Sequence, residues 1–380
     1  MTVSIIATES LGVRGLCCLV KLEGRSILID PGIALGWMRN KLLPHPFQIA
    51  AGISIRKNII RELRGATDII FSHFHGDHCP LREPNPYQLG IDEVRDLLAD
   101  RRLWAKGADS HDHLQLARRE ELSKALGKKL PGVEGREEGP LEFSDPVPHG
   151  KAMKNARTVM MSRIEEEGQV FVHASDIQLL DSEAISRIIS WHPDMVLVSG
   201  PPLYRYGDGN NDEKEEALRN AAELSACTEM LIIDHHLLRS DEGFEWLAGL
   251  RSLGGGEVLS AAEYMGREPV LLEAWREQLY RWLPVPKSWH DDYQRGNADL
   301  ETYRKKGWDI LMEKGKLQPC KWYYCCPVRT FTERGLLERY WIENYCLVGN
   351  KRCVRYNMEE RGEYHPDNML PDGEVRENLK

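Results

Sequence analysis

The chain has 380 residues, of which 42% are hydrophobic and 29% charged, and its formal net charge at pH 7 is −9. This is an ordinary globular composition, sufficient for one large domain with an appendage or for two domains, and the negative charge disfavours a protein whose main task is to grip phosphate backbones. Because no apolar stretch approaches the roughly 20 residues of a membrane helix and the N-terminus lacks a secretory pattern, we expect a cytoplasmic protein without a membrane partner.

Three short strands are predicted at the start of the chain, and a loop and a helix follow them. The strands cover residues 3–7, 16–21 and 25–30. The third ends at Asp30, followed by proline and glycine, which is typical of a turn. Residues 33–50 are predicted to be an irregular flap, in which His45 stands alone between prolines and is not counted as a ligand. Residues 53–63 have the apolar spacing of a helix.

A dense group of polar side chains follows the next apolar strand, which begins at Asp68. The group consists of His73, His75, Asp77 and His78. Imidazole and carboxylate are natural ligands of zinc, manganese and ferrous iron. Period-two geometry puts the first three on one side of an extended segment, and a turn at Gly76 brings in the last from another angle. One short loop can therefore supply ligands to two adjacent metals.

The segment after this loop is predicted to be helical and charged over residues 91–129, with Ser110 as a helix cap. The His-Asp-His sequence at 111–113 imitates a ligand pair, but it begins an amphipathic helix and is interpreted as a solvated helix start. Residues 131–140 are rich in glycine and glutamate and are predicted to form a surface linker.

Strands and helices alternate in the following part of the chain. A hairpin is predicted from residues 158–163 and 170–174. Its second strand leads to Asp176, a carboxylate that can bridge two cations about 3.5 to 4 Å apart. His173 falls on the opposite face and is assigned to the core or to a supporting position. The remaining predicted elements are a helix at 182–190, a strand at 194–199, a helix at 212–227 and a strand at 230–233.

The order His-x-His-x-Asp-His at 73–78 resembles the signature of the metallo-β-lactamase superfamily. The opening strands that close on Asp30 are similar to the start of that fold, where the aspartate supports the metal loop from behind; a simple turn is the alternative. The sequences Glu9-Ser10-x-Gly12, 173–176 and 234–236 resemble an archaeal branch of the superfamily. The resemblance implies an α/β fold, namely a four-layer αββα sandwich.

The resemblance also implies the ligands of two metals. His73, His75 and His149 would bind the first metal, and Asp77, His78 and His235 the second. Asp176 would join the two, and His236 is the alternative to His235. Zinc is the first choice of metal, with manganese or iron as alternatives.

The activity implied by the resemblance is that of a metal-dependent hydrolase. A hydroxide activated by two metals would cleave an ester, lactone, thioester or phosphodiester bond in a small-molecule or phosphodiester substrate, and Asp77 would orient the nucleophile or return a proton. A nuclease acting on RNA or DNA is an alternative that the acidic balance disfavours. A second alternative is an oxidoreductase with a di-iron centre and an iron–sulfur tail, although the superfamily's oxygen reductases carry Glu at the position of His75. A third is a binding protein without turnover.

The resemblance implies a metallo-β-lactamase-fold hydrolase domain at 1–275. The change in composition after it predicts a linker or packing segment at 276–318 and a cysteine-rich module at 319–380. Five of the nine cysteines lie in this last segment. Helices are predicted there at 332–346 and 353–362.

The cysteines of the module suggest a second metal centre. Cys320, Cys346 and Cys353 are the clearer ligands, and the fourth is Cys325 or Cys326. Because paired C-x-x-C knuckles are absent, the spacing favours a [4Fe-4S] cluster over structural zinc, and unliganded thiols are the remaining alternative.

Overall fold

A computed structural model describes residues 1–108, 112–153, 157–206 and 211–379. Its strands are β1 (Thr2–Ala7), β2 (Cys17–Leu22), β3 (Arg25–Ile29), β4 (Asp68–Phe71), β5 (Arg102–Ala105), β6 (Glu137–Glu138), β7 (Leu141–Phe143), β8 (Val147–Pro148), β9 (Thr158–Val159), β10 (Ser162–Glu166), β11 (Gln169–His173), β12 (Met195–Val198), β13 (Met230–Ile233) and β14 (Glu257–Leu259). Its α-helices are α1 (Pro46–Gly65), α2 (Ile91–Ala99), α3 (His113–Leu126), α4 (Ser182–Ser190), α5 (Asn211–Ala226), α6 (Glu242–Ser252), α7 (Ala261–Tyr264), α8 (Arg276–Trp282), α9 (Trp289–Gln294), α10 (Glu301–Glu313), α11 (Pro327–Glu333) and α12 (Val354–Glu360).

The strands form two mixed sheets and a separate small pair, β8 with β9. The first sheet has the order β1-β2-β3-β4-β5, and the second has the order β14-β13-β12-β11-β10-β7-β6. In the first sheet β3, β4 and β5 are parallel, and in the second β11 to β14 are parallel. Parallel strands are covered on both faces, which explains their nearly continuous apolar sequences.

Alternate residues of the central strands belong to different hydrophobic layers. In β4, Ile70 packs between the two sheets, whereas Ile69 and Phe71 pack with the apolar side of α1. In β12, Leu197 lies in the same layer between the sheets, and Val196 faces the helices on the other side. Helices therefore cover the outer faces of two stacked sheets. This is the predicted four-layer αββα sandwich, and the predicted fold class is confirmed.

The beginning of α1 differs from the sequence prediction. The helix starts at Pro46, so the last five residues of the predicted flap at 33–50 are helical. His45 is the N-cap: its Nδ1 accepts a hydrogen bond from the Phe47 N–H at 3.2 Å, and its Nε2 lies 2.8 Å from the Leu283 carbonyl oxygen. Proline at the first helical position was the signal that the prediction missed.

The predicted long helix at 91–129 was wrong in its middle. Residues Arg102–Ala105 form β5, which pairs in parallel with β4, because tertiary pairing outweighs the local helical pattern. The predicted cap Ser110 and the neighbouring His111 lie outside the described residues. The N-cap of α3 is Asp112, whose side chain accepts a hydrogen bond from the Gln115 N–H at 3.1 Å.

The C-terminal third packs against the sandwich through several short helices. In α10, Gly307 lies so close to α1 that an added Cβ would be 2.2 Å from the Phe47 ring. The predicted helix at 332–346 is interrupted: α11 ends at Glu333, and a π-helical turn follows at Ile342–Cys346.

The predicted boundaries at 275 and 318 are crossed by one hydrophobic core. Leu347 and Leu370 of the cysteine-rich segment share a buried cluster with Trp308 and with Leu250 of α6. The tail therefore packs onto the sandwich rather than around a core of its own. Within the described residues, no helix combines the length and apolar character needed to cross a bilayer.

Candidate metal centre

The carboxyl ends of the parallel strands meet at one rim of the sandwich. The loop after β4 carries the predicted histidine cluster, and Asp176 and His235 follow β11 and β13. His149 comes directly after β8, in the small strand pair. Side chains that are far apart in sequence are thus brought to one place by the strand order of the two sheets.

The loop after β4 is held in a tight turn by its own backbone. The N–H groups of His78 and Cys79 donate hydrogen bonds to the His75 carbonyl oxygen, at 2.9 and 3.1 Å. Gly32 lies against the back of this turn, where an added Cβ would be 2.3 Å from the Cys79 nitrogen. The Pro-Gly sequence after Asp30 therefore permits a close backbone approach that fixes the loop.

A first group of ligand atoms comes from His73, His75, His149 and Asp176, all within 4.8 Å of one another. His73 Nε2 and His75 Nδ1 are 3.0 Å apart. Asp176 Oδ2 lies 3.1 Å from His149 Nε2 and 3.6 Å from His73 Nε2. The set has the nitrogen and oxygen donors expected of a divalent metal site.

A second group comes from Asp77, His78 and His235, again within 4.8 Å of one another. The Nε2 atoms of His78 and His235 are 3.3 Å apart, and His235 Nε2 is 3.7 Å from Asp77 Oδ2. Asp176 adjoins this group as well, with its Oδ1 3.4 Å from His235 Nε2. The structure thus brings together all seven side chains that the sequence singled out, with Asp176 between the two groups.

His236 also lies at the centre. Its Nε2 is 3.3 Å from Asp176 Oδ2, and it forms a further group with Asp176 and His235. The backbone of His236 has a φ of 66°, a left-handed conformation that turns consecutive histidines toward the same carboxylate. Both residues of the sequence alternative, His235 and His236, therefore face the site.

Two buried carboxylates hold the histidines from behind. Asp30 accepts a hydrogen bond from the Ser72 N–H at 2.8 Å, and its Oδ2 lies 3.0 Å from His78 Nδ1. Of the two interpretations of Asp30, the supporting position is the one observed. Glu9 supports His235 in the same way, since its Oε2 lies 2.7 Å from His235 Nδ1.

The supporting role of Glu9 was missed by sequence reasoning, and so was that of Arg239. The Arg239 guanidinium is buried and pairs with Glu9, while its Nη2 lies 3.6 Å from Asp77 Oδ2. A glutamate two residues after the end of β1 was the available signal, but its partners lie more than 220 residues away in sequence.

The electrostatics of the centre separate its histidines into two kinds. Burial, aided by neighbouring histidines, holds the pKa of His73 well below its ordinary value and lowers the pKa of His75 to about 3. Burial also acts to lower the pKa of His78 and His235, but neighbouring carboxylates outweigh it and raise both. Burial opposes ionisation of Asp176, yet the surrounding histidines keep its pKa well below the usual range.

These properties fit a pair of divalent cations. Asp176 Oδ1 is buried and has no hydrogen-bond partner among the described residues, as an oxygen reserved for a metal would be. Neighbouring carboxylates outweigh burial and raise the pKa of both His78 and His235, so the centre favours added positive charge. Metal ligands must be deprotonated, so a bound cation would supply that charge in place of protons.

The other histidines considered from the sequence lie elsewhere. His45 caps α1, and His173 is buried with its Nε2 2.9 Å from the Leu16 carbonyl oxygen. His113 is exposed, as a solvated helix start predicts, but Asp112 beside it is buried and lies 3.2 Å from Arg157. The prediction of a wholly solvated segment was therefore wrong for Asp112.

Curated archaeal proteins are similar to most of this chain, whereas no family model matches it. The chain is 47% identical over 303 residues to a UPF0282 protein of Methanosarcina mazei, and the aligned region covers 80% of this chain and 99% of that protein. It is 32% identical over 290 residues to a UPF0282 protein of Methanopyrus kandleri, covering 73% and 99% of the two chains. A UPF0282 protein of Pyrococcus furiosus is 35% identical over 295 residues, and the aligned region covers 74% of this chain and 93% of that protein.

Two solved structures show weaker likeness. Tm1679, described as a metal-dependent hydrolase of the β-lactamase superfamily, is 14% identical with a TM-score of 0.41 and covers 68% of this chain and 96% of that chain. A mutant of the CmlA β-hydroxylase is 11% identical with a TM-score of 0.37, and the matched region covers 64% of this chain and 50% of that chain.

Proposed function

The chain belongs to the UPF0282 family, and from its histidine and aspartate centre we propose that it is a metal-dependent hydrolase. The observation that carries the proposal is the convergence of two overlapping ligand groups on one buried carboxylate, Asp176. The bond cleaved would be an ester, lactone, thioester or phosphodiester bond, in a small-molecule or phosphodiester substrate.

We assign the ligands to two metals, and the short distances within each group support this assignment. His73, His75 and His149 would hold one metal, Asp77, His78 and His235 the other, and Asp176 would hold both. Two divalent cations bound there would supply a hydroxide nucleophile near neutral pH, by lowering the pKa of a shared water toward ~7, and would stabilise the oxyanion formed on attack. Zinc fits the donor set best, with manganese or iron as alternatives.

The supporting carboxylates prepare the histidines for this task. A carboxylate oxygen can only accept a hydrogen bond, so Asp30 and Glu9 keep the proton of His78 and His235 on Nδ1. The Nε2 lone pairs then point into the centre, where the two Nε2 atoms already lie 3.3 Å apart.

Asp77 is the carboxylate that a substrate or water can reach. Its side chain is 19% exposed, whereas that of Asp176 is 1% exposed. Although burial opposes its ionisation, the charges of His78, His235 and Arg239 keep the pKa of Asp77 well below the usual range. Asp77 can therefore accept a hydrogen bond from the attacking water and orient it; returning a proton to the leaving group is the alternative role.

The test is hydrolysis by metal-depleted and metal-restored protein. Chelated protein would be assayed with an aryl ester, a lactone, a thioester and bis(p-nitrophenyl) phosphate, before and after addition of zinc, manganese or ferrous iron. We expect at least one substrate to be cleaved only with metal, and Asp77→Asn to lower the rate by about 10²–10⁴-fold. A Glu277→Gln variant, altered at an exposed ion pair, serves as the control.

The same assay can contradict the proposal. Turnover of none of the four bond classes under any metal would count against a hydrolase. Hydrolysis that survives both chelation and the Asp77→Asn substitution would place the activity outside this centre. Cleavage of single-stranded RNA or DNA that is abolished by salt would select the nuclease alternative.

A further inference from the structure

The C-terminal segment encloses a small cavity of about 70 Å³, separate from the centre described above. Its wall contains five cysteines, namely Cys320, Cys325, Cys326, Cys346 and Cys353. A site for a single water needs only about 10–15 Å³. The cavity is therefore several times larger than one water or one bare metal ion requires.

Four of these thiols reach the cavity from four different pieces of backbone. Cys326 immediately precedes α11, and Cys353 immediately precedes α12. Cys346 is the last residue of the π-helical turn, and its carbonyl oxygen accepts a hydrogen bond from the Cys320 N–H at 2.7 Å. Since the first of these cysteines is 33 positions before the last, the segment is folded around the cavity.

The sulfur spacing argues against a single metal ion. A tetrahedral zinc site has Zn–S bonds of about 2.3 Å, which places its sulfurs roughly 3.8 Å apart. Among the described residues, the groups of ligand atoms lying within 4.8 Å of one another all belong to the histidine and aspartate centre, and none contains a cysteine. Cys326 and Cys346 lie within hydrogen-bond reach of each other, but no three sulfurs in the described part of the segment lie close enough together to share one ion.

A buried positive charge lies beside the same cavity. Arg355 lines it and is 5% exposed. Its Nη1 donates to the carbonyl oxygens of Pro366, Asp367 and Met369, while its buried Nε has no hydrogen-bond partner among the described residues. A cationic group with an unused donor suits an occupant of net negative charge, which thiolate-bound iron–sulfur clusters carry.

We propose that this cavity binds a [4Fe-4S] cluster through Cys320, Cys326, Cys346 and Cys353. Several irons with bridging sulfides hold thiolate ligands further apart than one ion does, which matches both the spacing and the space. Cys326 is preferred to Cys325 because Cys325 is exposed and its sulfur lies 3.4 Å from the Trp322 carbonyl oxygen. The cluster would hold the short helices of the tail together and thereby stabilise the segment.

The experiment is metal and sulfide analysis of the full chain purified without oxygen. We expect about four irons and four acid-labile sulfides per chain, with visible absorption that bleaches on reduction. Cys326→Ser and Cys346→Ser should each reduce bound iron to below about one per chain. Cys227→Ser, at an exposed cysteine outside the cavity, should retain all of it. His75→Ala, which alters only the other centre, should retain all of the acid-labile sulfide.

Cysteine variants can fail to fold, so iron X-ray absorption of the unaltered protein gives an independent test. We expect sulfur neighbours and a short iron–iron distance. One zinc with sulfur ligands and no sulfide, or a cavity without metal, would overturn the proposal. Iron loss in Cys325→Ser but not in Cys326→Ser would overturn the choice of the fourth ligand.

Discussion

Replacing Glu9 by glutamine tests whether a carboxylate behind the centre controls metal binding. The side chain keeps its size, but its charge is lost. In the native protein, the carboxylate is fully buried between His235 Nδ1, at 2.7 Å, and the Arg239 guanidinium. Although burial acts to raise the pKa of Glu9, the charges of Arg239 and His235 keep it below its ordinary value. The glutamate is therefore ionised at neutral pH.

Two effects of different size follow from this geometry. Losing the partner that orients a metal-binding histidine costs about 10–100-fold in metal affinity, equivalent to about 1.4–2.7 kcal/mol. Leaving a buried charge without its partner costs about 3–5 kcal/mol of folding stability. For folding stability we expect a loss at the lower end of this range, about 3 kcal/mol. Arg239 would still have two partners, Asp77 at 3.6 Å and the Tyr204 hydroxyl at 3.1 Å.

Chelator competition measures the zinc affinity, and urea unfolding of metal-free protein measures the stability. Glu277→Gln, which alters an exposed pair with Arg281 at 3.5 Å, should change both by less than about 0.5 kcal/mol. If Glu9→Gln bound zinc as tightly as the unaltered protein, the carboxylate would not be holding His235, and the argument from supporting groups would fail.

The remaining predictions concern folding stability. In Gly307→Ala the new Cβ would lie 2.2 Å from the Phe47 ring, so we expect a net loss of about 1–3 kcal/mol although helix propensity alone favours alanine by about 1 kcal/mol. Gly249→Ala, in α6 with nothing within 4 Å of its added Cβ, should instead gain about 0.5–1 kcal/mol; equal shifts in the two urea midpoints would refute the packing argument. Burial lowers the pKa of His45 to about 4 from the ordinary 6.5 of histidine, so the unfolded chain binds more protons between these values and stability falls as the pH drops through this window. In metal-free protein, His45→Gln should remove about 3 kcal/mol of this dependence of folding stability on pH. An unchanged dependence would contradict the lowered pKa of His45.

Much of the centre was predictable because its ligands are recognisable side chains at the ends of apolar strands. The loop at 73–78 presents four of them in immediate succession, and the strands leading to Asp176 and His235 are apolar enough to be found from sequence. The αββα class was implied by the family resemblance and agreed with the alternation of apolar strands and helices along the chain.

The features that sequence reasoning missed depend on long-range contacts. β5 has a helix-like local sequence and becomes a strand only because β4 offers an edge for pairing. Glu9 and Arg239 are 230 positions apart, and nothing in either local sequence indicates that they meet. Whether His235 or His236 faces the centre was open because the left-handed backbone at His236, which turns both inward, is a consequence of the fold.

The number of divalent cations held by the histidine and aspartate centre tests the central claim most directly. Metal-depleted protein would be titrated with zinc, and zinc X-ray absorption would separate nitrogen and oxygen ligands from any sulfur contributed by the tail. We expect about two zinc ions per chain with nitrogen and oxygen ligands only, and the loss of at least one in Asp176→Asn, because this carboxylate adjoins both ligand groups. Fewer than one such zinc per chain, or binding that Asp176→Asn leaves unchanged, would contradict a dinuclear centre at this site.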